Sequence, residues 1–152
     1  MAFYFFDASC AVKLYYAEIG TDKIGAIYDA PDIGIIISNL AYTEVLSALN
    51  RKKQSGSISQ SEFDDAMSRF FFDYESKYLV LAMSEEIRVS AGKLILRHNL
   101  RSGDSIQLAT ACENKKAQLV FVCSDDKLCK AAMNEGLIVL NPEKPQVPIA
   151  SE

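Results

Sequence analysis

The stretch that decides the fold is the opening one, Ala2-Phe3-Tyr4-Phe5-Phe6-Asp7-Ala8-Ser9. Its apolar and aromatic run shows no alternation, which is typical of a strand buried on both faces in the middle of a parallel sheet. The run stops at Asp7. Helical spacing then begins at once and continues towards Gly20 through Val12, Tyr15, Tyr16 and Ile19. This order predicts a strand that delivers Asp7 to its carboxyl end, where open α/β sheets bind ligands.

Further apolar runs alternate with helical patterns along the rest of the chain. Residues 33–38, 119–123 and 137–140 are predicted to be buried strands, and residues 78–83 to be extended or a short strand. Helical spacing or capping signals fill the intervals between them. The alternation predicts an α/β protein with a three-layer α/β/α fold and a central parallel sheet of about four to five strands.

The length of 152 residues suits one domain. We expect residues 1–140 to form it and residues 141–152 to be an extended or disordered C-terminal tail, because three prolines follow position 141. The sequence has neither an apolar run of about 20 residues nor the features of a signal peptide. It is therefore expected to be cytoplasmic, without a membrane partner.

Composition limits the kinds of site that the chain can build. A formal net charge of -4 counts against nucleic-acid binding through a broadly basic surface, so such a function would need local basic patches or metal ions. The single histidine, His98, and the lack of C-x-x-C spacing make a zinc site improbable. The cysteines are expected to be small buried hydrophobic residues without a disulfide framework: Cys10, Cys112, Cys123 and Cys129.

Carboxylates recur at corresponding places in the predicted fold. Asp7 and Asp125 follow predicted strands, Asp104 stands at a helix start, and Glu44 lies one turn into a helix. Right-handed crossovers bring the carboxyl ends of parallel strands to one edge, so Asp7 and Asp125 can be neighbours. Carboxylates about 4 Å apart repel by roughly 4 kcal/mol at an effective dielectric constant of 20, which favours a bound cation. Oxygen ligands without histidine or cysteine suit Mg²⁺ or Mn²⁺.

Each of these acids except Asp7 also has a purely structural interpretation. Asp104 and Asp125 could cap their helices, since aspartate is a favoured N-cap residue. Glu44 taken alone is better explained as a solvated helix residue. His98 fits a helix-end residue that interacts with the helix dipole better than it fits a catalytic base.

Four segments carry a family resemblance, and they occur in the order that the family has. They are Phe6-Asp7-Ala8-Ser9-Cys10-Ala11-Val12-Lys13-Leu14-Tyr15, then residues 38–49, 100–111 and 121–128. Together they resemble PIN-domain ribonucleases of the VapC toxin type over residues 3 to about 140. The resemblance implies a metal-dependent endoribonuclease that cleaves RNA. It also implies a toxin role, with a cognate antitoxin protein as inhibitor and a homodimeric assembly.

The resemblance also implies which residues do the chemistry. Its acidic pocket would consist of catalytic, metal-binding residues holding Mg²⁺ or Mn²⁺: Asp7, Glu44, Asp104 and Asp125. Ser9 would place a hydroxyl near the metal or phosphate, and we predict Lys13 and Arg101 as substrate contacts.

The chain departs from the family pattern at the last motif. Cys123 stands where family members often carry Thr or Ser, so the supporting hydroxyl would come from Ser124 or be absent. The pair Asp125-Asp126 leaves the fourth ligand open, and Asp125 is preferred because Leu128 then follows at the family's spacing.

Other functions compete with a nuclease. A Mg²⁺-dependent phosphatase of the haloacid-dehalogenase type also begins with an acid after a first strand, but it expects a second aspartate where this chain has Ser9. A non-catalytic PIN-like binding module is a further alternative, against which the complete acid set argues. The helix containing Phe70, Phe71 and Phe72 is apolar on more than one face, which indicates a surface covered by a partner.

Overall fold

The computed structural model describes residues 1–145. Its sheet is all-parallel and contains five strands: β1 (Ala2–Phe6), β2 (Ile33–Ser38), β3 (Tyr78–Leu81), β4 (Val120–Val122) and β5 (Ile138–Leu140). The order across the sheet is β3-β2-β1-β4-β5, so β1 lies in the centre. Phe5 pairs with Ile36 on one side and with Phe121 on the other. The predicted central strand and the parallel sheet are confirmed.

Helices cover both faces of this sheet. The described residues contain seven α-helices: α1 (Ala8–Ala11), α2 (Thr21–Asp29), α3 (Leu40–Gln54), α4 (Gln60–Ser76), α5 (Glu85–His98), α6 (Ser102–Cys112) and α7 (Asp126–Asn134). One hydrophobic cluster packs α5, α6 and α7 on the sheet, and a second packs α1 to α4 on it. The three-layer α/β/α fold is therefore confirmed. None of the helices in residues 1–145 is both long and apolar enough to cross a membrane.

The helix predicted from Asp7 to Gly20 is much shorter than its apolar spacing indicated. α1 ends at Ala11, a 3-10 turn follows at Val12–Leu14, and Ile19 is 71% exposed. The chain instead folds back through a polar turn. There the Thr21 hydroxyl accepts a hydrogen bond from the Glu18 amide and donates one to the carbonyl of Lys13. This turn places Glu18 beside the side chain of Lys13, 3.1 Å from Nζ to Oε1.

The expectation of four buried free thiols is wrong. Cys123 follows β4 and Cys129 lies in α7, and their Cα atoms are 6.1 Å apart with the sulfurs joined in a disulfide. The turn between β4 and α7 brings them together, which their six-residue separation did not reveal. Cys10 and Cys112 are free, and Cys112 is only partly buried.

Residues 141–145, which we call the C-terminal strap, follow β5 and cross the edge of the sheet where β1 and β4 end. Asn141 Nδ2 donates a hydrogen bond to the Ser124 carbonyl at 3.3 Å. Pro142 is buried against Gly20, where a side chain would be strained: the φ of Gly20 is 93°, and a Cβ there would lie only 3.2 Å from Pro142. The remainder of the predicted tail, residues 146–152, lies outside the described residues.

Candidate active site

Asp7 stands at the carboxyl end of the central strand, as predicted. Its side chain is 4% exposed, and Ser9 Oγ donates a 2.6 Å hydrogen bond to Oδ2. Burial, with smaller contributions from the charges of Asp104 and Asp125, raises the pKa of Asp7 to about 6, although the hydrogen bond from Ser9 opposes the shift. Asp7 therefore holds its proton to a pH well above that of an ordinary aspartate.

Glu44 lies in the second turn of α3, half-buried and turned towards α6. A Cβ on Gly103 would lie 2.7 Å from Glu44 Oε1, so the glycine leaves the space that this carboxylate occupies. Burial, together with the charges of Asp7 and Asp104, raises the pKa of Glu44 to about 7. The interpretation of Glu44 as a solvated helix residue is therefore wrong.

Gln107 is a buried neighbour of Glu44 that the sequence interpretation missed. It lies three residues after Asp104 on α6 and is fully buried. Its amide lowers the pKa of Glu44, yet neither amide atom has a partner at hydrogen-bonding geometry. Buried polar groups without partners are uncommon and call for an explanation. Helical spacing from Asp104 was the signal that could have identified it.

Asp104 lies in the first turn of α6, where its side chain is 24% exposed. Burial raises its pKa, the charge of Asp125 adds to the shift, and Arg101 opposes it. Arg101 Nε is 3.6 Å from Asp104 Oδ2. The guanidinium is mostly exposed, so it lies at the rim of the site and is available to a ligand.

Asp125 is the N-cap residue of α7, as its structural interpretation anticipated. Its Oδ1 accepts a 2.8 Å hydrogen bond from the Leu128 amide. Its charge nevertheless raises the pKa of both Asp7 and Asp104, which places it in the same acidic group. The adjacent Asp126 instead pairs with Lys144 of the C-terminal strap.

The four predicted acids thus form one electrostatic group, and its donor chemistry can be compared with the needs of a cation. Their oxygens are hard ligands, and the neighbouring Cys10 remains a neutral thiol because burial raises its pKa to about 12. Within residues 1–145, no three acidic, histidine or cysteine side chains converge closely enough to hold an ion as they stand. The donor set therefore fits Mg²⁺ or Mn²⁺ chemically, and the carboxylates would have to approach one another around the ion.

A groove of about 830 Å³ opens beside this acidic group. Ser9 and Glu44 line its acidic end, and Arg51 and Lys52 continue it along α3. Ser124 also lines it, with its hydroxyl 3.3 Å from the sulfur of Cys10. The groove thus places four cationic side chains beside the acidic group, and two further carboxylates, Glu18 and Glu143, also line it.

Lys13 lines the same groove, but its ammonium is covered. The residue is 4% exposed, and Nζ lies 3.1 Å from Glu18 Oε1 and 3.8 Å from Glu143 Oε1. The sequence interpretation found neither carboxylate partner, because Glu143 belongs to the strap and reaches Lys13 only in the folded chain. His98 lies outside this site, with Nε2 3.2 Å from Glu135 Oε2.

The chain is similar in sequence and fold to known proteins. The PIN domain model matches residues 4–133. Ribonuclease VapC45 of Mycobacterium tuberculosis is 32% identical over 136 residues, which cover 90% of this chain and 93% of that protein. A toxin-antitoxin complex from Klebsiella pneumoniae shares the fold with a TM-score of 0.61 at 20% identity, covering 91% of this chain and 97% of that one. The structure of VapBC2 from Rickettsia felis, bound to a DNA fragment from its promoter, has a TM-score of 0.64 at 14% identity. The match covers 91% of this chain and 98% of that one. With its acids gathered where the sheet ends and the family model spanning most of its length, the chain belongs to the PIN-domain family.

Proposed function

We propose that the chain is a metal-dependent endoribonuclease that hydrolyses RNA phosphodiester bonds. The observation that carries this proposal is the acidic group beside a groove that four cationic side chains line: Lys13, Arg51, Lys52 and Arg101. Such a site can bind an ion at one end and a nucleic-acid backbone along its length. The 32% identity to a relative named ribonuclease supports RNA as the substrate.

We assign the catalytic, metal-binding role to Asp7, Glu44, Asp104 and Asp125, with Mg²⁺ or Mn²⁺ as the ion. Such an ion supplies Lewis acidity and lowers the pKa of a water molecule that can attack phosphorus. Ser9 orients the Asp7 carboxylate through its hydrogen bond, and the missing side chain of Gly103 leaves room for that of Glu44. Burial keeps bulk water away from Asp7, which strengthens its interaction with any cation.

The substrate backbone would lie along the groove. Arg101 at the rim and Arg51 further along offer positive charge to successive phosphates, and Lys52, which shares Glu18 with Lys13, lines the same groove. Ser9 and Lys13 are proposed as contacts close to the reacting phosphate. Phosphate contacts of this kind fix the position of RNA without selecting a base.

We further propose that the enzyme is the toxin of a toxin–antitoxin pair, acts in the cytoplasm and assembles as a homodimer. The similarity of its fold to toxin–antitoxin complexes supports a cognate antitoxin as partner. On α4, Phe72 is 71% exposed and Phe71 is also partly open to solvent. Exposed aromatic side chains suit a surface that another chain covers. We take residues 1–140 as the nuclease domain and residues 141–152 as a C-terminal tail.

Cleavage of total RNA by the purified protein tests this function. Cutting is expected with Mg²⁺ or Mn²⁺ and is expected to stop with EDTA or in the Asp7→Asn variant. Asp22→Asn, which removes an exposed carboxylate on α2, is the matched control and should cut normally. Intact RNA with folded, metal-supplied protein that is free of co-purified inhibitor would contradict the proposal. It would favour the non-catalytic binding module, because the family assignment already removes the support for a phosphatase.

A further inference from the structure

The ammonium of Lys13 lies between two carboxylates. Glu18 and Glu143 both face it, at 3.1 Å and 3.8 Å. Glu18 also faces Lys52 Nζ at 3.7 Å, so one carboxylate already bridges two lysines. Glu143 brings this group of four side chains to zero net charge, and without it the group has a charge of +1, which suits an anionic ligand.

The two carboxylates differ in how firmly the chain holds them. Glu18 lies in the polar turn that Thr21 closes with two hydrogen bonds, and its side chain pairs with both lysines. Glu143 is bound less firmly, because its carboxylate is 3.8 Å from the ammonium of Lys13 and its side chain is 35% exposed. Of the two, Glu143 is the one that an incoming anion can displace.

The strap is built so that Glu143 can move while the chain before it stays in place. Pro142 is buried against Gly20, which fixes the start of the strap. Beyond Pro142 the holding contacts are exposed, including the pair of Lys144 with Asp126. Exposed pairs of this kind stabilise by at most about 1 kcal/mol, so residues 143–145 can detach at small cost.

We propose that Lys13 forms a phosphate subsite of the groove and that Glu143 occupies it in the resting chain. The carboxylate stands in for an RNA phosphate, and the strap must release it before that phosphate can reach Lys13. This inference rests on the proposed function for the identity of the anion. It makes the C-terminal strap a competitor of the substrate.

Binding of single-stranded RNA tests the subsite, with all variants made in the cleavage-deficient Asp7→Asn chain so that the RNA stays intact. Glu143→Gln keeps the size of the side chain and removes its charge. We expect about fivefold tighter binding by fluorescence anisotropy at low salt, the equivalent of about 1 kcal/mol. Glu75→Gln, an exposed change on α4, is the control for net charge and should alter binding less than twofold. With Lys13→Met also present, Glu143→Gln should give no gain.

A second measurement follows the strap itself and does not require nuclease activity. The amides of Glu143 and Lys144 donate hydrogen bonds to Asn141. In the unaltered chain, inorganic pyrophosphate should speed hydrogen exchange at both amides, and Glu143→Gln should speed it without any anion. Equal RNA affinity for Glu143→Gln and Glu75→Gln, or exchange that pyrophosphate leaves unchanged, would overturn the subsite. Failure of the unaltered chain to cleave RNA would overturn the nuclease instead, and the pyrophosphate result would still decide the role of Glu143.

Discussion

Replacing Asp7 by asparagine should stabilise the metal-free protein at pH 7.5 while abolishing RNA cleavage. The folded chain raises the pKa of Asp7 from 3.8 to about 6, chiefly by burial. Below pH 3.8 the side chain is protonated in both the folded and unfolded states, so folding is not penalised. Between pH 3.8 and about 6 the unfolded chain loses this proton while the folded chain keeps it, so stability falls over that range. Above pH 6 the folded protein carries the buried charge, and the full penalty is present.

The size of this penalty follows from the shift. About two pKa units, at roughly 1.4 kcal/mol each, correspond to about 3 kcal/mol at pH 7.5. For a protein of this length, that is a rise in Tm of about 6 to 12 °C for the variant. Asparagine can still accept the hydrogen bond from Ser9, and its amide can donate to a neighbouring carboxylate. The variant should therefore show most of this increase in the free energy of unfolding.

Thermal unfolding in EDTA at pH 4.0 and pH 7.5 measures the effect. The variant should be more stable at pH 7.5, with most of the difference gone at pH 4.0, where the folded side chain is neutral and the unfolded one is close to its pKa of 3.8. Saturating Mg²⁺ should narrow the difference at pH 7.5, because a ligand that binds only the folded acidic site stabilises the unaltered chain more. Asp22→Asn should change Tm little at either pH. A variant no more stable than its parent at pH 7.5, or an equal difference at both pH values, would refute the reasoning.

Two further substitutions distinguish effects on RNA cleavage from effects on the stability of the fold. Gly103→Ala should displace the Glu44 carboxylate and raise the Mg²⁺ concentration for half-maximal RNA cleavage by about tenfold or more, since a misplaced ligand weakens an ion site. Gly92→Ala on α5, where an added Cβ meets nothing within 4 Å, is its control: it should leave cleavage unchanged and stabilise by up to about 1 kcal/mol. Asp73→Asn should lower the free energy of unfolding in urea by about 1 to 3 kcal/mol, because the buried carboxylate accepts hydrogen bonds from the hydroxyls of Tyr15 and Tyr28. Its cleavage rate per folded molecule should be unchanged, and a selective loss of rate would show that this cluster supports the site.

The sequence predicted the acidic edge because strand order and crossover handedness depend on local patterns. An unbroken apolar run identified β1 as central, and parallel topology then placed Asp7 and Asp125 at the same end of the sheet. The helix predicted after Asp7 was too long because the burial of Tyr15, which suggested a continued helix, has another cause. Its hydroxyl bonds to Asp73, 58 residues away, so its apolar spacing reflects a tertiary contact and not a continued helix.

The supporting contacts of the site could not be predicted, because they join elements far apart in the chain. Gly103 meets Glu44 across α6 and α3, and the strap brings Glu143 to Lys13. Neither pair has a spacing or a motif that marks it. The disulfide likewise depends on the turn between β4 and α7 and not on sequence spacing.

A group of acids that repel one another stays folded because each member has its own local support. Ser9 donates to Asp7, the first turn of α7 donates to Asp125, Arg101 faces Asp104, and Gly103 makes room for Glu44. These supports hold the carboxylates without removing their repulsion, which adds to the effect of burial in raising the pKa values of Asp7 and Glu44. A bound cation would remove it. Neutralising Asp7 should therefore raise metal-free stability and end cleavage, whereas displacing Glu44 through Gly103 should weaken cleavage without a comparable gain in stability, because the charge remains.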